Sequence, residues 1–259
     1  MFHVALNDVR IAFGARKVFD SLSCGFPKGR ISVILGGSGS GKSTILRLIG
    51  GLIRPQHGSI LVDNEEITHL SQRGLYNVRQ KLGMVFQGGA LLDSYTVLDN
   101  LALPLRERRV QPPLTEAQIA TEVHAALQSV DVQDVDRLLP GQLSGGMLRR
   151  VALARAILRH PLILMCDEPF SGLDPVSIKR IESLLVRINR ESGMTLIVVS
   201  HHIPSTMRMA DHVLLLLNNR AVEGSPAELR QSKDPEVVDF LDESSVGVSP
   251  TAVGGGTAQ

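Results

Sequence analysis

The nine residues GGSGSGKST, at positions 36–44, carry the clearest chemistry in the chain. They follow the apolar run ISVIL and lead into TILRLIGGL, so they match G-x-x-x-x-G-K-[ST] between a strand and a helix. Gly36, Gly37, Gly39 and Gly41 leave room for backbone N–H groups to close around phosphate oxygens. Ser38, Ser40 and Thr44 add hydroxyls, and the helix start adds the positive end of its dipole. In such a loop Lys42 reaches the β- and γ-phosphates of a nucleoside triphosphate, and the Ser43 hydroxyl coordinates Mg²⁺.

A second constellation lies in LILMCDEP, at 162–169. An apolar strand ends on two carboxylates, at the C-terminal edge where open α/β sheets bind ligands. Asp167 suits a magnesium-holding role, and Glu168 suits polarising a water aimed at the γ-phosphate. A third is GQLSGGMLRR, at 141–150, where Ser144, Gly145 and Gly146 begin another helix able to receive an anion. One phosphate loop already supplies one nucleotide's main contacts. The second helix start therefore points to the nucleotide of another copy, docked head to tail.

These groups need a sheet to position them. Short apolar runs recur at 31–35, 82–86, 162–166, 195–199 and 213–217, as strands covered on both faces would. Helical patterns fall between them. One starts at Asp174-Pro175, carries Ile178, Ile181, Leu185 and Ile188 on one stripe, and ends at Gly193. The expected fold is α/β, a P-loop NTPase core with an inserted helical subdomain and a small N-terminal antiparallel β region. The core takes residues 1–87 and 161–230. The helical subdomain takes 88–160, including a helix that begins with a capping box at Thr115 and Gln118 and runs to about Val130. Residues 231–259 form a C-terminal extension, with a short helix from Asp234-Pro235 to near Leu241 and a small, polar, glycine-rich end that reads as disordered.

Composition narrows the class. The 259 residues include 27 Lys plus Arg against 26 Asp plus Glu, a net charge of +1, so no basic excess marks a nucleic-acid binder. The arginines 149, 150, 155 and 159 then read as solvated or paired within the molecule. No aliphatic run is long enough to span a bilayer, and the N-terminus lacks a signal-peptide pattern. Two cysteines, Cys24 and Cys166, make no disulfide framework and read as core residues of a reduced, cytosolic protein.

LSGGM placed after a P-loop and before LILMCDEP resembles the signature of ATP-binding cassette (ABC) ATPases, over roughly residues 5–230. The resemblance implies ATP and Mg²⁺ as cofactors and ATP hydrolysis as the activity. Phe13 matches the aromatic that stacks on adenine, and Gln87, closing LGMVFQ, matches the Q-loop glutamine that senses Mg²⁺ and the attacking water. Asp174 in SGLDP matches a D-loop residue at the dimer contact, and His201 in VVSHH matches the γ-phosphate switch. The family commonly has Asp at the next position, where this chain has His202. Catalysis would then fall to Glu168, His201, Gln87 and Lys42, with Ser43, Gln87 and Asp167 toward the metal.

FQGGALLDSYTVLDN, RLIGGLIRPQHG and LSGGMLRRVALARAI further resemble the ATPase subunits of Mla-type phospholipid transporters of Gram-negative bacteria, which work with MCE proteins. That implies an ATPase homodimer on an integral membrane permease, a periplasmic MCE-type lipid-binding subunit, and a peripheral place on the cytoplasmic face of the inner membrane. Residues 88–107 would form much of the permease groove, with Gly88 and Gly89 as a hinge. Two rivals remain: an ABC ATPase for another cargo, such as amino acids, and a non-transport ABC ATPase.

Overall fold

In the computed structural model residues 1–107, 113–217 and 220–243 are described. Alternating side chains make β1 (Phe2–Phe13) a half-buried strand, with Val4, Leu6, Val9 and Ile11 turned inward. It pairs with β2 (Arg16–Pro27) on one side and β4 (His57–Val62) on the other, and β5 (Glu65–Glu66) completes an antiparallel sheet ordered β2-β1-β4-β5.

The continuous apolar runs build a second sheet. It comprises β3 (Ile31–Gly36), β6 (Leu82–Val85), β7 (Ile163–Asp167), β8 (Thr195–Val199), β9 (His212–Leu216) and β10 (Ala221–Gly224), ordered β10-β9-β3-β8-β7-β6. All pairings are parallel except that of β10 with β9. Because side chains alternate, each central strand feeds two cores. Ile34, Met165, Ile197 and Leu214 pack toward α1 (Lys42–Ile49) and the antiparallel sheet. Leu35, Cys166, Val198 and Leu215 pack on the opposite face, against helices.

That opposite face carries α6 (Pro175–Ser192), N-capped by Asp174 and closed at Gly193 as its sequence predicts. With it lie α7 (Ile203–Met209), α8 (Pro226–Arg230) and α9 (Pro235–Glu243). The helix α2 (Gln72–Arg79) precedes β6. Between β6 and β7 the described residues hold α3 (Val97–Arg106), α4 (Glu116–Ser129) and α5 (Gly145–Ile157), with no strand. The capping box of Thr115 and Gln118 starts α4.

Small differences from the sequence reading have local causes. The strand expected over 82–86 stops at Val85, leaving Phe86 exposed. The last helix runs past Leu241 to Glu243, and the glycine-rich end expected to be disordered lies outside the described residues. Helix α3 was not anticipated, although Thr96 caps it by accepting from the Asp99 N–H. Pro104 in its last turn masks the helical pattern. Cys24 and Cys166 are buried free thiols, and burial pushes Cys166 up to about 12.

Candidate nucleotide site

Strands β3, β7 and β8 all point their C-terminal ends at one cleft of about 640 Å³. Gly36, Gly37, Ser38, Gly39, Gly41, Lys42, Ser43 and Thr44 line it, with Phe13, Gln87, Glu168 and His201. Gly36 leaves β3 at φ +151°, and a Cβ there would come within 2.7 Å of the Leu216 carbonyl and of Ser40 Oγ. Only glycine fits the loop's first position. Ser40 itself does not line the cleft. Its Oγ is buried without a hydrogen-bond partner among the described residues.

Lys42 opens α1 and curls back over the loop, donating to the carbonyls of Gly36 and Gly37 at 2.8 Å each. Burial lowers its pKa, while the charges of Glu168 and Asp167 act the other way. The next residue, Ser43, donates to Asp167 Oδ1 at 3.0 Å. A hydroxyl and a carboxylate in contact, with the amide of Gln87 on the same cleft, make a set of hard oxygen donors of the kind Mg²⁺ takes. The residues present therefore fit that ion.

Asp167 is the last residue of β7, paired with Val199 of β8. The chain then breaks from the strand, because Glu168 adopts φ +50°. Left-handed backbone costs a non-glycine residue about 1–2 kcal/mol, and it turns Glu168 into the cleft while Asp167 keeps its bond to Ser43. Glu168 Oε2 lies 2.8 Å from His201 Nδ1, with the carboxylate 13 % exposed and the imidazole 67 % exposed. Although the two atoms are close, their alignment makes no hydrogen bond, and that buried oxygen accepts none from the described residues. It keeps a lone pair for a proton donor in the cleft.

Phe13 ends β1 on the cleft with half its surface exposed, the placement of a stacking aromatic rather than a core one. The remaining sequence-derived candidates lie outside the cleft lining. Ser144 caps α5, its Oγ accepting from the Met147 N–H, and Ser144 and Gly145 are exposed. Gly146 abuts α6, since a Cβ there would sit 3.1 Å from Ser177 Oγ. Asp174 spends its carboxylate on α6, accepting from the N–H groups of Val176 and Ser177 and from Ser177 Oγ. Those bonds, the Ser177 hydroxyl foremost, hold its pKa down. Gly145 and Gly146 thus sit beside the start of α6, and none of the three signature residues lines the cleft of the phosphate loop.

His202 also has a place. Its Nδ1 accepts from the Ser205 N–H at 3.1 Å and so N-caps α7, as a carboxylate would. Its ring tilts against Phe170, with centroids 6.1 Å apart. Three cleft residues escaped the sequence reading. Arg16 donates to the Gly39 carbonyl at 3.0 Å, Val18 flanks it, and Phe240 arrives from α9. Arg16 lies three residues from Phe13, which could have drawn notice; nothing in the sequence ties Phe240 to the site.

Known proteins resemble this chain in sequence and in fold. The chain matches the ABC transporter family over residues 19–171. It is 43 % identical over 249 residues to the intermembrane phospholipid transport system ATP-binding protein MlaF of Escherichia coli, covering 95 % of this chain and 91 % of that one. A probable ribonucleotide transport ATP-binding protein of Mycobacterium leprae is 38 % identical, over 91 % of this chain and 67 % of its own. Among solved structures, a dimeric ATP-binding cassette in a post-hydrolysis state with ADP and Pi superposes with a TM-score of 0.78 at 30 % identity, covering 86 % and 98 % of the two chains. With phosphate loop, acidic strand end and signature helix in one order on one fold, this chain belongs to the ABC transporter family.

Proposed function

We propose that this chain is the ATP-hydrolysing subunit of an ABC transporter that powers phospholipid transport between the inner and outer membranes. One observation carries the catalytic part: Lys42, Ser43 with Asp167, and Glu168 with His201 converge at the open end of one sheet. The phosphate loop and Lys42 hold the β- and γ-phosphates of ATP. Ser43, Asp167 and Gln87 would hold Mg²⁺, whose charge offsets that of the phosphates. Glu168 takes a proton from the attacking water through its unpaired oxygen, while His201 and Gln87 fix the water and the γ-phosphate. Phe13 stacks on adenine.

The signature residues Ser144, Gly145 and Gly146 do not line their own cleft, and the working unit in this reading is a homodimer. There each chain lends its α5 start to the partner's ATP, with Asp174 near the contact. The dimeric cassette with ADP and Pi supports this reading. Residues 88–160 serve as the signature subdomain inserted in the core. No described helix is long and apolar enough to cross a membrane. The motor therefore acts through a permease, peripherally on the cytoplasmic face of the inner membrane, with an MCE-type periplasmic subunit in the same complex.

Glu168→Gln tests the chemistry. Loss of a general base costs about 10²–10⁴-fold in rate, so the variant should accumulate as an ATP-bound dimer with turnover reduced by at least about a hundredfold. Undiminished steady-state hydrolysis would remove Glu168 from the role. Cargo is tested by purifying the chain with its membrane partners and analysing co-purified lipid. The likeness to the mycobacterial ribonucleotide-transport relative keeps a second cargo class in view. Recovery of a permease without an MCE protein or phospholipid would favour it.

A further inference from the structure

Helix α5 begins at the signature and carries arginines that the ATPase reading leaves without a task. The structure uses three of them as ties to backbone carbonyls. Arg149 donates to Ser171, Arg150 to Val130 and Asp131, and Arg155 to Gly89 and Ala90. Arg155 is the most buried of the three, and among the described residues it forms no ion pair with a carboxylate. A charge taken from water without a counter-ion is costly unless dipoles replace the lost hydration. Here two carbonyls and the Asn100 side-chain oxygen do so, at 3.3, 2.9 and 3.5 Å.

The loop that Arg155 grips holds Gln87. Gly88, Gly89 and Ala90 run at φ +88°, +87° and +48°, three left-handed residues in succession. Such a run is not self-supporting, and Ala90 pays a steric cost in it. Within the loop the Gly89 N–H reaches back to the Phe86 carbonyl, and the Gly89 backbone lies against Ala152 of α5. Asn100 secures the next stretch, bonding Leu92, Tyr95 and Thr96. The side-chain grip on residues 89 and 90 comes from Arg155, two residues from a glutamine that lines the cleft.

We propose that Arg155 is a positioning residue for Gln87, tying the helix that carries the signature to the loop that carries the glutamine. Movement of α5 then moves Gln87 relative to the phosphate loop. This inference rests on the ATPase reading, and its test separates the two. A double-mutant cycle in the full-length chain uses Arg155→Lys and Gln87→Ala; the lysine keeps the charge but has one nitrogen where the guanidinium uses two, Nη2 on both carbonyls and Nη1 on the Asn100 oxygen. R155K should lower kcat about tenfold, with KM for ATP changed less than about twofold. In the Q87A background it should lower kcat less than about twofold further, because the residue it positions is gone. R150K, on the same helix with a different tie, should combine multiplicatively with Q87A.

If R155K and Q87A multiply, or R150K couples to Q87A as strongly, the proposal is overturned while the ATPase reading stands. An inactive wild type overturns the ATPase reading instead. Hydrogen exchange decides the structural claim whatever the activity. In R155K, or in R155Q should R155K not fold, the amides of residues 88–91 should lose protection while those of α5 keep theirs. Unchanged exchange at 88–91, or loss spread along α5, would overturn it.

Discussion

Glu168 and His202 show two ways a single position departs from what its neighbours would favour. Glu168 accepts a left-handed backbone, and the strain turns its carboxylate toward His201 while Asp167 keeps Ser43. His202 stands where the family commonly has an aspartate, yet it performs a carboxylate's capping task because its neutral Nδ1 is also an acceptor. That task has a pH dependence. Burial, with Arg208 and His201 nearby and Glu182 opposing them, holds the His202 pKa below 6.5. The unfolded chain therefore binds this proton first. The stability tied to neutral His202 is present above about pH 6.5 and lost as pH falls through the folded value. His202→Asn keeps a good cap and cannot titrate. Thermal melts from about pH 7.5 to 5 should show the wild type losing more stability than H202N, with ATP turnover at pH 7.5 little changed. His3 shifts in the same direction and contributes to both proteins alike, so the difference reports His202. Parallel losses would refute the assignment.

At the scale of elements, what could be read from the sequence was local. Asp174-Pro175 and Gly193 bracket α6 because caps act within a turn, and Thr115 with Gln118 starts α4 for the same reason. The buried strands were visible as apolar runs, and the phosphate loop, Asp167 and Glu168 as residues at strand ends. What stayed hidden depends on distant partners. Arg155 meets Gly89 and Ala90 across some 65 residues, and α9 reaches the cleft only because Val237 is buried in the helical face of the core. Arg220 helps to set that helix, pairing with Asp234 and Glu236 at its start. The two aromatics of the cleft consequently come from opposite faces of the sheet: Phe13 from the antiparallel side, Phe240 from the helical side. If the Phe240 ring walls the nucleotide, Phe240→Ala should raise KM for ATP about three- to tenfold. That corresponds to about 1 kcal/mol of apolar contact, and kcat should move less. An unchanged KM with a lowered melting temperature would make Phe240 a packing residue only.

At the scale of the whole molecule, the proposed function gives the chain two anion-receiving helix starts, of which only one lines its cleft. The start of α1 serves its own cleft, while the start of α5 presents Ser144 and Gly145 to solvent beside the start of α6. A two-fold dimer resolves this, because the same rotation that brings one Ser144 to the partner's ATP brings the partner's Ser144 back. Each composite site then needs Lys42 from one chain and Ser144 from the other, a requirement that mixing can isolate. Lys42→Ala and Ser144→Arg homodimers should each be nearly inactive, since every site in them carries a lesion. A heterodimer gathers both lesions into one site and leaves the second intact. Random equal mixing makes about half the dimers heterodimers with one working site of two. If sites act independently, the mixture should recover about a quarter of wild-type turnover. Positive coupling between sites would lower that fraction without abolishing it. No recovery, with subunit exchange verified by differently tagged chains, would mean that a single chain builds its site alone.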